Sequence, residues 1–537
     1  MLAISLPDID DADRRWWTLG AMCFALFMVM LDNTVVNVAL PSIQRDLGVS
    51  TANLEWTINA YTLTFAVLLV TGGRMGDIFG RRRWFLVGVA IFGASSLFIA
   101  FSQTDVWLIA GRAAQGVGAA FMMPATLSII TNAFPPEERG KAIGTWAGMS
   151  AVALAIGPVV GGFLVENVSW QSIFLINVPI AVIAVAVTLW ATHESRDPTA
   201  ARSVDVSGVA ALSVGMGALV LGLVEGNAWG WGSARIIALF AIALVALGGF
   251  FVIEHHVRAP MLDFSYFRSR SFLGANVVAF IVSFAMLSMF FFLALYMQNV
   301  RGYSPLEAGV RFLPSTVVII FMGPIAGRLA DKVGPRPLMS LGLVIVSISL
   351  FAQSFLTPDT PYSTLAAAFV LMGMGMGLVM SPMSTAAMNA VDQTKAGAAS
   401  GVLSMSRMVG GTFGVAVTGA LVQTLGRTKL TELLPGAATS QVDKLVDALA
   451  GGGSGIPGAA GAAVQTAFLD AVNTSMKISA GIALLGALVA WLLIEKIPPR
   501  EQVRESREER FEHDLVEAGD AGGAPQGEAA LREPARA

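Results

Sequence analysis

Continuous apolar stretches of about 20 residues recur along almost the whole chain, and each is long enough to cross a hydrocarbon core about 30 Å thick. Backbone N–H and C=O groups placed in lipid must be satisfied within their own segment, so such stretches fold as helices. The sequence divides into roughly fourteen of them, from one beginning at Trp16 to one ending at Ile494. Composition agrees: 55% of the 537 residues are hydrophobic and only 13% are charged, with mean hydropathy +0.68. A water-soluble chain of this length needs more polar surface than that. The expected fold class is an all-α polytopic membrane protein.

Charge and chemistry narrow the function. A net charge of -3 carries no basic signature for nucleic acid. The single cysteine, Cys23, sits in an apolar run, and the adjacent His255 and His256 cannot share one helix face, which leaves no disulfide framework and no zinc spacing. No Gly-x-x-x-x-Gly-Lys loop occurs, so nothing in the sequence suggests ATP as an energy source. The expectation is a non-enzyme with no cofactor or metal, whose partners are a small molecule and the bilayer and for which a monomer suffices. The first apolar run follows Arg14-Arg15 without a small-residue cleavage site and reads as a retained span. With the amino terminus inside, most of the 34 Lys and Arg fall in cytoplasmic segments and only Arg112 and Arg407 stay within spans. Both termini are therefore expected in the cytoplasm of a bacterium, the chain lying in its inner membrane.

A loop is present twice. Gly73, Asp77, Gly80 and Arg81 close the second span, and Gly327, Asp331, Gly334 and Arg336 close a later one at the same Gly-to-Asp-to-Gly spacing. Aligning them pairs the first six spans with the last six and leaves two extra helices between. A second register agrees: Gly140, Gly144 and Gly157 recur as Gly397, Gly401 and Gly414. The expected organisation is a cytoplasmic tail at 1–15, a six-helix bundle at 16–192, two linking helices at 206–253, and a second six-helix bundle at 272–496. A long outer loop at 426–471 should mix short helix with flexible chain. The charged residues 497–537 read as a disordered cytoplasmic tail. Internal duplication of a helical membrane protein is the architecture of two halves rocking about a shared site. In the repeated loop the glycines allow a tight turn and close helix approach, and the Asp stands where the positive end of a neighbouring helix can receive it. Each copy is thus a breakable latch, although the arginines also serve simply to orient their helices.

Five motifs in order carry a family resemblance that covers the membrane part. The first loop, Leu31-Asp32-Asn33-Thr34-Val35-Val36-Asn37 with Pro41, Arg112-Ala113-Ala114-Gln115-Gly116, Gly157-Pro158-Val159-Val160-Gly161-Gly162, and Trp170 with Asn177-Val178-Pro179 resemble the major facilitator superfamily and its fourteen-helix drug:proton antiporters. Pro260-Met261-Leu262-Asp263 resembles a further hallmark of that group. The resemblance implies a fold of two pseudo-symmetric six-helix bundles plus two linking helices. It also implies export of lipophilic, cationic drugs or toxic compounds in exchange for protons.

Candidate residues follow. Counted along their helices, Asp32 and Arg112 reach the same depth to within about one helical turn. Ionised side chains there must face the interior, each other or water. A carboxylate that alternates between water and a guanidinium can bind and release a proton, and the resemblance gives this pair the proton-coupling role; a static salt bridge is the alternative. Gly157, Pro158, Gly161 and Gly162 suit a kinked gating helix or plain small-residue packing. Asn33, Asn37, Phe284, Phe291, Tyr296, Met376 and Arg407 are the candidate substrate-cavity residues, the aromatic and thioether groups being adaptable to apolar or cationic ligands. Arg407 finds no acidic partner at its depth and suits backbone carbonyls or an anionic group. Two other readings stand beside drug efflux. One is export of a lipid, siderophore or self-made antibiotic, and the other is a non-transporting sensor acting through the tail.

Overall fold

A computed structural model describes residues 10–48, 51–136, 138–198, 204–257, 260–435, 437–449, 456 and 458–496. The tail expected from residue 497 and the Gly-rich run 451–455 lie outside the described residues, as does 1–9 of the amino-terminal tail. Among the described residues every regular element is helical.

The amino-terminal half comprises α1 (Asp11–Leu47), α2 (Thr51–Phe79), α3 (Arg81–Ala100), α4 (Asp105–Ala133), α5 (Arg139–Asn167), α6 (Ser172–Leu175) and α7 (Asn177–Ala191). The linking pair is α8 (Val206–Trp229) and α9 (Ala234–His256). The carboxy-terminal half comprises α10 (Arg270–Leu295), α11 (Pro305–Arg311), α12 (Leu313–Val333), α13 (Pro335–Ala352), α14 (Tyr362–Asn389), α15 (Ala396–Leu433), α16 (Thr439–Asp447) and α17 (Gly458–Leu493). Polar caps set several starts: Thr104, Asp205, Ser233 and Ser269 each accept from a backbone N–H in the first turn that follows. Ser304 and Glu307 form a reciprocal capping box at α11.

Thirteen helices among the described residues are long and apolar enough to cross a membrane. The 29-residue α5 is not one of the thirteen, so the expected fourteen crossings are not all accounted for. Side chains clothe the bundle as lipid demands: Leu244 and Val245 on α9 are 76% and 74% exposed, a normal state for helices whose solvent is hydrocarbon.

Among its described residues the stretch 426–471 is mostly helix: α15 continues to Leu433, α16 fills 439–447 and α17 already begins at Gly458. Apolar length predicts only the span a bilayer needs, and α15 with 38 residues and α17 with 36 run well past the roughly 20 that cross a core about 30 Å thick. Arg427 pairs with Asp443 at 2.7 Å and ties the projecting end of α15 to α16.

The halves meet along two seams, α2 with α15 and α5 with α12. Both seams depend on missing side chains. A Cβ on Gly73 would lie 2.3 Å from the Gly397 carbonyl oxygen, and one on Gly327 would lie 2.0 Å from that of Gly140. Only glycine permits such an approach.

Candidate functional site

The interior site is built from five helices of the amino-terminal half. Asp32 of α1 and Arg112 of α4 are only 0% and 1% exposed and form an ion pair at 2.5 Å between Oδ2 and Nη1. The other carboxylate oxygen, Oδ1, accepts from Gln115 Nε2 at 2.8 Å and from Asn177 Nδ2 at 2.9 Å. Gln115 lies three residues along α4 from Arg112 and receives a second hydrogen bond from that guanidinium at its own Oε1. Ser96 of α3 accepts from both amides and donates to the Phe92 carbonyl. Arg112 Nε donates to the Thr57 carbonyl, and its guanidinium lies 4.3 Å from the centre of the Tyr61 ring on α2. The carboxylate is gripped by one guanidinium and two amide donors in a place with no surface of its own. Removing one member of such a pair costs about 3–5 kcal/mol, because the other charge stays buried.

The matching depths of Asp32 and Arg112 thus become a contact. Gln115 and Asn177 were visible in the sequence only as motif letters; their shared task depends on the rotation of α4 and α7, which spacing alone does not give. On α5, a Cβ at Gly157 would overlap Thr34 and one at Gly161 would press on Val35, so this helix packs on α1 within a turn of Asp32. Gly162 faces open space, and the side chain of Pro158 lies outside the described residues.

The repeated loops meet the opposite half. Asp77, 0% exposed, accepts from Arg81 at 2.6 and 2.9 Å and from the Gly397 and Ala398 N–H groups at 3.0 and 2.8 Å. Its carboxylate therefore sits on the amino-terminal end of α15, where orphan amides and the helix dipole favour an anion. Arg81 also donates to the Gln393 and Thr394 carbonyls just before that helix. Gly80 turns the chain at φ 109°, and Glu194 covers it while accepting from the Arg82 and Arg83 N–H groups. In the second copy, Asp331 accepts from the Gly140 and Lys141 N–H groups at 3.1 and 3.2 Å, at the start of α5. Gly334 makes the equivalent turn at φ 83°. Arg336 does not join in: its guanidinium lies 4.4 Å from the Trp491 ring centre, because Pro335 occupies the place that Arg81 holds in the first copy.

The substrate-cavity candidates scatter. Phe284, Tyr296 and Met376 are only 4%, 0% and 0% exposed, and the Tyr296 hydroxyl donates to the Thr357 carbonyl. Phe291 is 47% exposed. Asn33 and Asn37 donate to carbonyls of their own helix. Arg407, half-buried, donates to Ser384 Oγ.

Two long pseudo-symmetric helical halves, seamed by glycines and latched by repeated Asp loops around a buried ion pair, define a multi-pass membrane transporter rather than an enzyme. The Major Facilitator Superfamily model matches residues 22–415, and the chain belongs to that family. It is 34% identical to the tetracenomycin C resistance and export protein of Streptomyces glaucescens, over 92% of this chain and 94% of that one. It is 34% identical to the puromycin resistance protein pur8 of Streptomyces alboniger, over 90% and 92%. With the multidrug resistance protein Stp of Mycobacterium tuberculosis it shares 35% identity over 75% of each chain. The fold matches the human organic anion transporter MFSD10 with a TM-score of 0.58 at 13% identity, over 90% of this chain and 100% of that one. It matches the proton:xylose symporter XylE with a TM-score of 0.60 at 13% identity, over 91% and 97%.

Proposed function

We propose that the chain is a proton-driven antiporter that exports lipophilic, antibiotic-like compounds from the cytoplasm, lying in the bacterial inner membrane with both termini inside. The observation that carries this reading is Asp32, a fully buried carboxylate whose ligands are one arginine and two amides on two other helices. Intramembrane carboxylates of this kind are expensive and mark ion pathways. Relatives of similar length are named for drug resistance and export.

In the observed state both latches are made and Asp32 is closed off. Opening the opposite end lets water reach the carboxylate. A proton taken up on Asp32 removes the charge that Arg112, Gln115 and Asn177 hold, which loosens the grip between α1, α4 and α7. Breaking the latches at Asp77 and Asp331 then opens the loop end, where the proton leaves and a compound enters. Protons are the coupling ion, and no cofactor is needed.

The test is Asp32→Asn in proteoliposomes. The variant is expected to abolish substrate-driven proton movement while keeping substrate binding; intact proton movement would refute the assignment. The resemblance to the tetracenomycin C protein favours a second reading, export of one self-made antibiotic. A deletion strain sensitive to a single natural product and to no panel of unrelated drugs would support it.

A further inference from the structure

Arg407 is a cation without a counter-charge. It lies within the apolar length of α15, deep in the bundle, and no charged side chain among the described residues acts on it. Its one hydrogen bond among the described residues runs from Nη2 to Ser384 Oγ, and the buried Nε–H has no acceptor. Ser384 is neutral, and its hydroxyl proton goes to the Met380 carbonyl, so it orients the guanidinium without balancing it. The contrast with Arg112, which has a carboxylate, a carbonyl and an amide as acceptors, is complete.

The surroundings say where this charge points. α15 packs chiefly on α10 and α2 and touches α14 little, yet Arg407 crosses from α15 to reach Ser384 on α14. Although it lies deep in the protein, Arg407 is not fully shut off from the surface. An uncompensated guanidinium at membrane depth is costly, and its planar fork with free N–H groups matches a carboxylate or a similar oxyanion. Among the described residues, the central turns of α10, α13 and α14 carry no acidic residue that would receive a cation.

We propose that Arg407 is the binding site for an anionic group, a carboxylate or an ionised phenol or enol, on the exported lipophilic compound, with Ser384 as its positioning residue. This rests on the export reading above and replaces the expected drug cation with an amphipathic anion.

The experiment measures direct binding to the purified full chain in detergent, with no gradient, using naphthoate, methyl naphthoate and naphthylmethyl-trimethylammonium as matched probes. Wild type is expected to bind naphthoate at least about tenfold more tightly than the ester or the cation. Arg407→Gln should remove that preference while leaving ester binding unchanged, and Arg407→Lys should restore part of it. Equal binding of the three probes by wild type would overturn the proposal, and so would an equal loss of all three in Arg407→Gln. If the Gln variant does not fold, the wild-type preference together with the Lys variant decides. Insensitivity of export to an uncoupler would sink the proton-driven reading and leave this binding comparison intact.

Discussion

The two latches share a spacing and differ in strength. Asp77 and Arg81 are both 0% exposed, and the arginine also ties down the two carbonyls that precede α15. Asp331 is half-buried, its amide contacts are longer, and Arg336 has turned away to Trp491. One difference in sequence accompanies the divergence. Where the first loop places an arginine after its second glycine, the second places Pro335, whose side chain carries no charge to the carboxylate. A duplicated sequence therefore need not give duplicated energetics. The α2–α15 seam holds the more deeply buried latch, although α5 and α12 pack over the larger contact.

Breaking the carboxylates tests this first. Asp77→Ala leaves a buried arginine without its partner and should cost about 3–5 kcal/mol. Asp331→Ala loses hydrogen bonds in a partly exposed place and should cost about 1–2 kcal/mol. Thermal unfolding of the purified variants reads the difference, and equal losses would refute the asymmetry. Next, Gly327→Ala and Gly73→Ala each push a methyl group into a carbonyl across a seam, at about 1–3 kcal/mol. Spin-label distances across the loop end should lengthen in both, and more at α5–α12; no lengthening would mean that the seams do not set the closed state. Arg336→Ala should cost no more than about 0.5–1 kcal/mol, the scale of an exposed cation–π contact, and leave transport unchanged. A transport defect there would return Arg336 to the latch.

The smallest effect concerns the strap beside the firm latch. Burial opposes ionisation of Asp263, but hydrogen bonds from the Ser265 hydroxyl and N–H and from Lys395 outweigh it and hold the carboxyl below its usual range. A depressed folded value means that the stabilisation is present above the unfolded value of about 4 and is lost as pH falls through the folded one. With both partners about a third exposed, solvent screening leaves only a few tenths of a kcal/mol. Wild type should therefore lose slightly more stability than Lys395→Ala on acidification below about pH 4. Parallel curves would show that the Asp263–Lys395 pair contributes nothing.

Much of this was legible in the sequence, for physical reasons. Apolar length fixes helices because lipid tolerates no unsatisfied backbone, and depth along two helices was enough to pair Asp32 with Arg112. The latch acceptors were legible in kind, since an Asp beside glycines suits a helix end, but which amides receive it is a matter of packing between halves. Rotation about a helix axis was not legible. It decides that Gln115 and Asn177 share one carboxylate oxygen, and that Phe284, Tyr296 and Met376 are packed away while Arg407 is only partly buried. Helix ends beyond the bilayer also escaped, because polar turns of α15 and α17 resemble loop when judged by hydropathy alone.

The 38 residues of α15 span about 57 Å, nearly twice the hydrocarbon thickness. One continuous rod thus carries the socket for Asp77 at its foot, Arg407 about a third of the way up, and a bare arm braced on α16 at its head. A load on the head is carried to the foot with no break in the helix, and in the orientation proposed above an antibody clasping that arm from outside the cell would hold the whole rod.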